Sequence, residues 1–156
     1  MEINQTLLPF LQSQKVLVLA TVDKKNNPWV SNVYFSVNKY YEFFFFSATD
    51  TQHSNHLISN ENVSFAVVWH DSEDEGNRKA IQAKGVCKQI KDPIKLLKLV
   101  KNHYKYYPGW KEEGESIDDT VKKLLKTGAY VINPDYIKYW DDEEFGEKKT
   151  EEYNLV

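Results

Sequence analysis

The hydrophobic pattern changes period several times along the chain, and each change predicts an element. Ile3, Leu7, Phe10 and Leu11 fall on one helical face, Thr6 can cap, and Pro9 lies early enough to be tolerated. They predict a short helix over 4–13. Val16 to Val22 is almost wholly apolar and rich in β-branched residues, which predicts a strand buried on both faces. A polar turn over 23–27 leads to a strand over 28–37. Asn38-Lys39 then turns the chain into a strand over 40–47 that carries Phe43 to Phe46, an antiparallel meander.

Thr49-Asp50-Thr51 offers cap chemistry for a helix over 51–60 with Leu57 and Ile58 facing inward. Strands follow over 62–70 and 79–91, the second interrupted by Gly85, with an acidic exposed loop over 71–77 between them. Asp92-Pro93 places a cap before a proline at the first helical position. The helix it opens turns Ile94, Leu97, Val100, Tyr104 and Tyr107 to one side, leaves Lys95, Lys98, Lys101 and Lys105 as a solvated face, and stops at Pro108-Gly109. A short helix over 117–126 ends at Thr127-Gly128. A last strand over 129–140 is broken by Asn133-Pro134, and the acidic residues 141–156 read as a mobile tail. The order predicts one α+β domain over 1–156, a six-stranded antiparallel split β-barrel with short flanking helices.

Composition narrows the function classes. Hydrophobic residues make up 41% and aromatics 14% of 156, enough for a packed core and against disorder. The net charge is −3 with both signs dispersed, which argues against a nucleic-acid binder held by phosphate attraction. Arg78 is the only arginine beside nineteen lysines, so a bound phosphate would be gripped by lysines, hydroxyls or backbone N–H groups rather than by guanidinium forks. Cys87 is the only cysteine, so no internal disulfide forms; on a central strand it reads as a buried inert thiol. Residues 1–11 lack the pattern of a secretory signal, and the apolar runs are too short to span a bilayer, which gives the expectation of a cytoplasmic protein without a membrane partner.

The stretch Val16 to Trp69 resembles the pyridoxamine-phosphate-oxidase-like family of FMN-binding split barrels. Leu19-Ala20-Thr21-Val22 is similar to the family's opening strand, and Pro28 to Phe35 to its second. Phe45-Phe46-Ser47-Ala48-Thr49-Asp50-Thr51-Gln52-His53 resembles the third strand and the turn that meets the flavin phosphate. Asn55 to Phe65 resembles the following helix and fourth strand, and Ala83-Lys84-Gly85-Val86-Cys87 the fifth. The resemblance implies a homodimer with two FMN molecules in grooves between the subunits.

It also implies the candidate site. Ser47, Thr49 and Thr51 would supply hydroxyls to the phosphate at the turn. Gln52 and His53 stand where many members carry an Arg and a Lys, which removes one fixed charge and makes the other depend on pH. Lys84 and Lys88 are candidates to compensate. Ser31 and Asn32 would meet the ring edge, Tyr34 would stack, and Trp110 or Trp140 would close the pocket from the partner. Against each stands a plainer role: Ser47, Thr49 and Thr51 as a helix cap, Trp29 and Trp140 as packing, His70 and His103 as surface residues. His53 and His56 share a helical face, but no acidic or Cys partners complete a metal set.

Two function classes follow. One is an FMN-dependent oxidoreductase exchanging hydride or electrons with a nicotinamide or small substrate, in which the flavin carries the chemistry and no catalytic side chain is required. The other is a non-catalytic module that binds flavin or haem, or a dimeric scaffold. True pyridoxamine-phosphate oxidase activity is disfavoured, because the Arg-rich substrate contacts are not recognisable.

Overall fold

The computed structural model describes residues 3–74 and 76–155. Met1, Glu2, Glu75 and Val156, which the readings of the N-terminus, the acidic loop and the tail include, lie outside the described residues. The chain runs α1 (Leu7–Ser13), β1 (Val16–Val22), β2 (Pro28–Tyr34), β3 (Ser36–Val37), β4 (Phe43–Phe46), α2 (Gln52–Leu57), β5 (Asn62–His70), β6 (Arg78–Gln89), α3 (Pro93–Tyr106), a 3-10 turn (Pro108–Trp110), α4 (Ile117–Thr127), β7 (Ala129–Asp141), α5 (Asp142–Phe145) and β8 (Glu151–Asn154). The strands form one antiparallel sheet in the order β2-β1-β5-β6-β7-β4-β3, with β8 added to β7. This is the expected α+β split barrel, but with eight strands rather than six.

Both extra strands have a physical cause. The segment 28–37 is one run in sequence but two strands in space. It pairs with β1 up to Tyr34, then switches at Phe35 to pair with β4, which brings opposite edges of the sheet together. The switch is pinned from the residue that caps the end of α3: the Tyr107 hydroxyl lies 2.7 Å from the Phe35 carbonyl and 2.9 Å from that of Lys15, while Phe35 N donates to Lys15 O. The second addition is β8. The acidic tail, expected to be mobile, instead forms α5, capped by the Asp141 carboxylate, and lays residues 151–154 along β7.

Asn133-Pro134 does not break the last strand. β7 continues through it with a bulge: Lys84 pairs with Tyr136 and Gly85 with Pro134, so Asp135 is the extra residue. A Cβ at Gly85 would stand 2.2 Å from the Asn133 carbonyl oxygen, which is why this position in the middle of a strand is glycine. On its other edge β7 pairs with β4 before the bulge and with β8 after it.

Two cores result. Inside the barrel Leu17, Leu19, Phe35, Phe43, Phe45, Phe65, Ile81 and Ile137 pack together. Outside it, Phe44 and Val131 meet Leu96, Leu99, Val100, Val121 and Leu124 of α3 and α4. The Phe43–Phe46 run therefore fills two cores on opposite faces. β1 behaves differently from its expectation: it buries Leu17, Leu19 and Thr21 and turns Val16, Val18 and Ala20 outward. Two expected inward residues also point out: Ile94, 66% exposed, because α3 packs through Leu96, Leu99, Val100 and His103 instead, and Ile58, 80% exposed, because α2 packs through His53, Ser54, His56 and Leu57.

His103, expected at the surface, is wholly buried. Its Nδ1 bonds Ser36 Oγ at 2.9 Å, its ring stacks on Tyr107, and Nε2 has no partner among the described residues. Burial, with Lys15 nearby, pushes its pKa down to about 4.

Two predictions follow from these contacts. Gly85→Ala forces the bulge apart and is expected to destabilise the fold by about 3 kcal/mol, read by chemical denaturation. For His103 the unfolded chain binds a proton near pH 6.5 that the folded chain refuses until about pH 4. Stability is therefore fully present above pH 6.5 and falls as the pH drops toward 4, by roughly 3 kcal/mol. His103→Asn is expected to flatten that part of the pH–stability curve; an unchanged slope counts against the assignment.

Candidate functional site

The predicted site residues separate into two groups on opposite faces of the sheet. Ser31, Ser47, Thr51 and His53 come together at the inner side, where α2 packs against β1 and β2. Thr51 caps α2 by accepting from Ser54 N. This turns His53 and His56 inward, and both are buried. The His53 ring is held at both nitrogens: Nδ1 by Ser31 Oγ at 3.0 Å, Nε2 by Ser47 Oγ at 2.7 Å and by Thr51 Oγ1 at 3.2 Å. Burial and the neighbouring His56 hold His53 below its ordinary pKa. An uncharged ring donates from one nitrogen and accepts at the other, as this cluster allows. His56 is fixed in the same way between Thr21 Oγ1 at 3.1 Å and Gln52 Nε2 at 3.2 Å.

Of the hydroxyls expected for a phosphate, those of Ser47 and Thr51 thus bond first to one another and to an imidazole. Gly128 completes this corner: its φ is +118°, a Cβ there would stand 2.1 Å from the Ser47 carbonyl, and its own carbonyl accepts from Ser47 N. Thr49 and Gln52 are exposed beside it. Among the described residues no group of three or more His, Cys, Asp or Glu is placed to hold a metal.

Asn32, Tyr34 and Lys84 belong to the second group, on the outer face. Strand register aligns two rows of side chains across five strands. One runs Val30, Ala20, Ser64, Lys84, Tyr136; the next runs Asn32, Val18, Ala66, Gln82, Lys138. Residues opposite one another in a sheet share a face, so these ten form a continuous panel. Its centre is a shallow groove of about 610 Å³ with Val18, Ala20 and Ala66 as floor. The Lys84 ammonium lies 6.0 Å from the Tyr136 ring centroid, and Lys138 lies 3.8 Å from Glu152 of β8. At the edge, Tyr34 meets Trp110 edge-on at 5.4 Å. Val30, Tyr34 and Val68 expose more than half of their surface here.

Sequence reading missed Ser64, Gln82, Tyr136 and Lys138. Their parity along each strand was legible, but their membership of one panel depends on register between strands, which the sequence does not state. Cys87 is buried and its thiol is pushed strongly upward in pKa by desolvation, so it is inert. No helix among the described residues is long and apolar enough to cross a membrane.

Known structures share this architecture. The conserved hypothetical protein Rv2991 from Mycobacterium tuberculosis superposes with a TM-score of 0.75 at 17% identity, covering 96% of this chain and 91% of its own. The heme storage protein HutZ from Vibrio cholerae gives 0.65 at 22% identity, covering 86% and 91%. An FAD binding protein from Mycobacterium smegmatis gives 0.62 at 19%, covering 88% and 96%. At these identities the likeness is one of fold. No curated protein sequence matches the chain significantly. The family model described as pyridoxamine 5'-phosphate oxidase matches residues 3–141, almost the whole of the split barrel, and the chain belongs to that family.

Proposed function

We propose that the chain binds FMN as a homodimer, with the isoalloxazine ring on the outer panel of the sheet, and that it transfers hydride or electrons between the flavin and a small substrate or nicotinamide. The observation that carries this reading is the panel itself: an apolar floor of Val18, Ala20 and Ala66, edged by amides and lysines, left uncovered by the rest of the chain. A flat conjugated ring needs such a floor, and a second copy needs such an apolar surface. Asn32 and Gln82 are placed to bond the polar edge of the ring. Lys84 and Lys138 would face its anionic groups, with Ser64 as a further donor. When bound, FMN supplies the redox chemistry, and these residues bind and orient it.

The inner cluster has a supporting role in this reading. Ser31, Ser47, Thr51 and His53 lock α2 against β2 behind the panel, which holds Asn32 and Tyr34 in place. Thr49 and Gln52, exposed at the start of α2, are the members of the expected phosphate set that still face solvent. Lys84 stands on the outer face and does not replace the fixed charge missing at Gln52-His53; in this reading it serves the panel instead.

One observation favours a second reading. His70 ends β5 on the same outward parity as Ser64, Ala66 and Val68, so an imidazole stands on the panel's face of the sheet, beyond the groove itself, where an iron porphyrin could use it. The relatives named for FAD and for haem storage make both ligands reasonable tests.

The deciding experiment is an absorbance spectrum of the purified protein after incubation with FMN, and separately with haemin, followed by gel filtration. Flavin bands eluting at dimer size, bleached by a reduced nicotinamide, are the expected result. A Soret band lost in His70→Ala would favour haem, and neither band would sink both readings. In the flavin case Lys84→Ala is expected to weaken FMN binding about tenfold, the worth of one charge-assisted bond, without shifting the unfolding midpoint.

A further inference from the structure

Another groove lies between α3 and the turn that joins β3 to β4. It holds about 470 Å³, and five lysines line it against a single carboxylate. That carboxylate, Glu42, is already engaged. Its Oε1 takes the Lys95 ammonium at 2.8 Å and its Oε2 accepts from Asn38 Nδ2 at 2.7 Å. Lys39, Lys98, Lys101 and Lys105 make no ion pair among the described residues.

The turn is built to present its cation. Asn38 Oδ1 accepts from the backbone N–H groups of Tyr40 and Glu42, and Tyr41 takes a φ of +59°, rare for a bulky residue. The half-buried Tyr41 packs against the barrel core, and this leaves Lys39 and Tyr40 projecting beside α3. Tyr40 is 72% exposed, with the Lys39 ammonium 4.9 Å from its ring centroid. Lysines from two separate elements therefore converge on one concave surface. A solvated helix face accounts for the α3 lysines alone. It does not account for a pinned turn that adds a fifth lysine and an uncovered aromatic ring on the facing wall.

We propose that this groove binds the diphosphate of a nucleoside 5'-diphosphate, with the base on Tyr40 and the phosphates among Lys98, Lys101 and Lys105. Like-charged ammoniums held around one hollow repel each other, and a polyanion relieves that repulsion while releasing its own counterions. Asn102, whose amide reaches Val37 O at 3.4 Å, and Gln12 supply neutral donors at the rim. Tyrosine at a basic groove offers a π-face to any base. The size suits a mononucleotide rather than a longer chain. The site is independent of the flavin panel, and nothing in the proposal requires FMN.

The test is calorimetric titration of the full chain with ADP, with tripolyphosphate, and with vesicles of anionic phospholipid, at low and at physiological ionic strength. Saturable ADP binding that weakens with salt is expected, reduced about tenfold or more in the double variant Lys98→Ala/Lys101→Ala. Tyr40→Ala should weaken ADP and leave tripolyphosphate unchanged. Lys122→Ala/Lys126→Ala on α4, outside the groove, should change neither. All these positions are exposed, so an unfolding midpoint equal to the parent's confirms that each variant is folded, and retained FMN uptake keeps this test separate from that of the panel. No saturable ADP binding, equal affinity in Lys98→Ala/Lys101→Ala, or binding to vesicles alone would overturn the proposal.

Discussion

The barrel depends on one strand changing partners. Residues 28–37 pair with β1 and then, past Phe35, with β4, and without that switch the sheet would remain open. The backbone at the switch presents two carbonyls just outside the strands, that of Lys15 before β1, which accepts from Phe35 N, and that of Phe35 between β2 and β3. The hydroxyl of Tyr107, the residue that caps the end of α3, lies within reach of both and shares its one proton between them. A buried carbonyl left without a donor costs about 1–3 kcal/mol, so Tyr107 is worth more than its packing. Its position explains why α3 ends where it does. Tyr107 must reach the switch, its ring stacks on His103, and His103 in turn bonds Ser36 in the short strand beyond the switch. The aromatic seam of Phe44, Phe46, His103, Tyr107 and Trp110 is therefore the hinge pin of the barrel, and its histidine is kept uncharged by the same burial.

Closing the barrel decides what is left over. β1, β5 and β6 send their inward residues into the barrel core, and α3 and α4 cover only the β4–β7 side through Phe44 and Val131. Among the described residues, no helix covers the outer faces of β1, β5 and β6 at the panel. Small and apolar residues at Val18, Ala20 and Ala66 there make a flat surface that is costly in water and useful only under a ligand or a partner. The bulge at Asp135 matters here too. By bending β7 between its β4 and β8 halves, it sets Tyr136 and Lys138 in register with Lys84 and Gln82 at the margin of the panel.

Much of the fold was legible in the sequence because its signals are local. The cap at Thr51, the Asp92-Pro93 helix start and the turn at 23–27 stand where the structure has them, while the turn begun at Asn38 runs on to Glu42 and delays the next strand to Phe43. What was not legible depends on contacts between distant segments. The Phe43–Phe46 run shows no alternation, because both its faces are buried, so nothing in it says which face meets the helices. Val16 to Val22 looks the same in sequence yet is buried on one face only, and the uncovered face is what makes the panel. The split at Phe35 has no Gly or Pro to announce it, since its cause lies seventy-two residues away at Tyr107. Pro134 was read as a break because proline ends a ladder bond, but the bulge opposite Gly85 absorbs it. The candidate site was half legible. The family resemblance put Ser47, Thr51 and His53 at one turn and Ser31 at a ring edge; the structure brings the four together as hydrogen-bond partners of one another. That they meet facing inward follows from the direction of α2, which a single sequence does not encode.

The lysine-rich composition has a consequence for both grooves. Arginine fixes a carboxylate or phosphate in a planar fork, whereas a lysine ammonium is a mobile point charge that tolerates several geometries. On the panel, Lys84 and Lys138 give charge without directional demand, so a flat ligand would have to be oriented by the floor and by the amides of Asn32 and Gln82. In the α3 groove the ammoniums stand at successive helical positions and act by their summed potential rather than by individual bonds. Specificity in such a groove cannot come from the lysines, because any polyanion satisfies them. It must come from the element that is not charged, and the Asn38 turn holds out one: the ring of Tyr40, kept clear of the core by the left-handed backbone of its neighbour Tyr41.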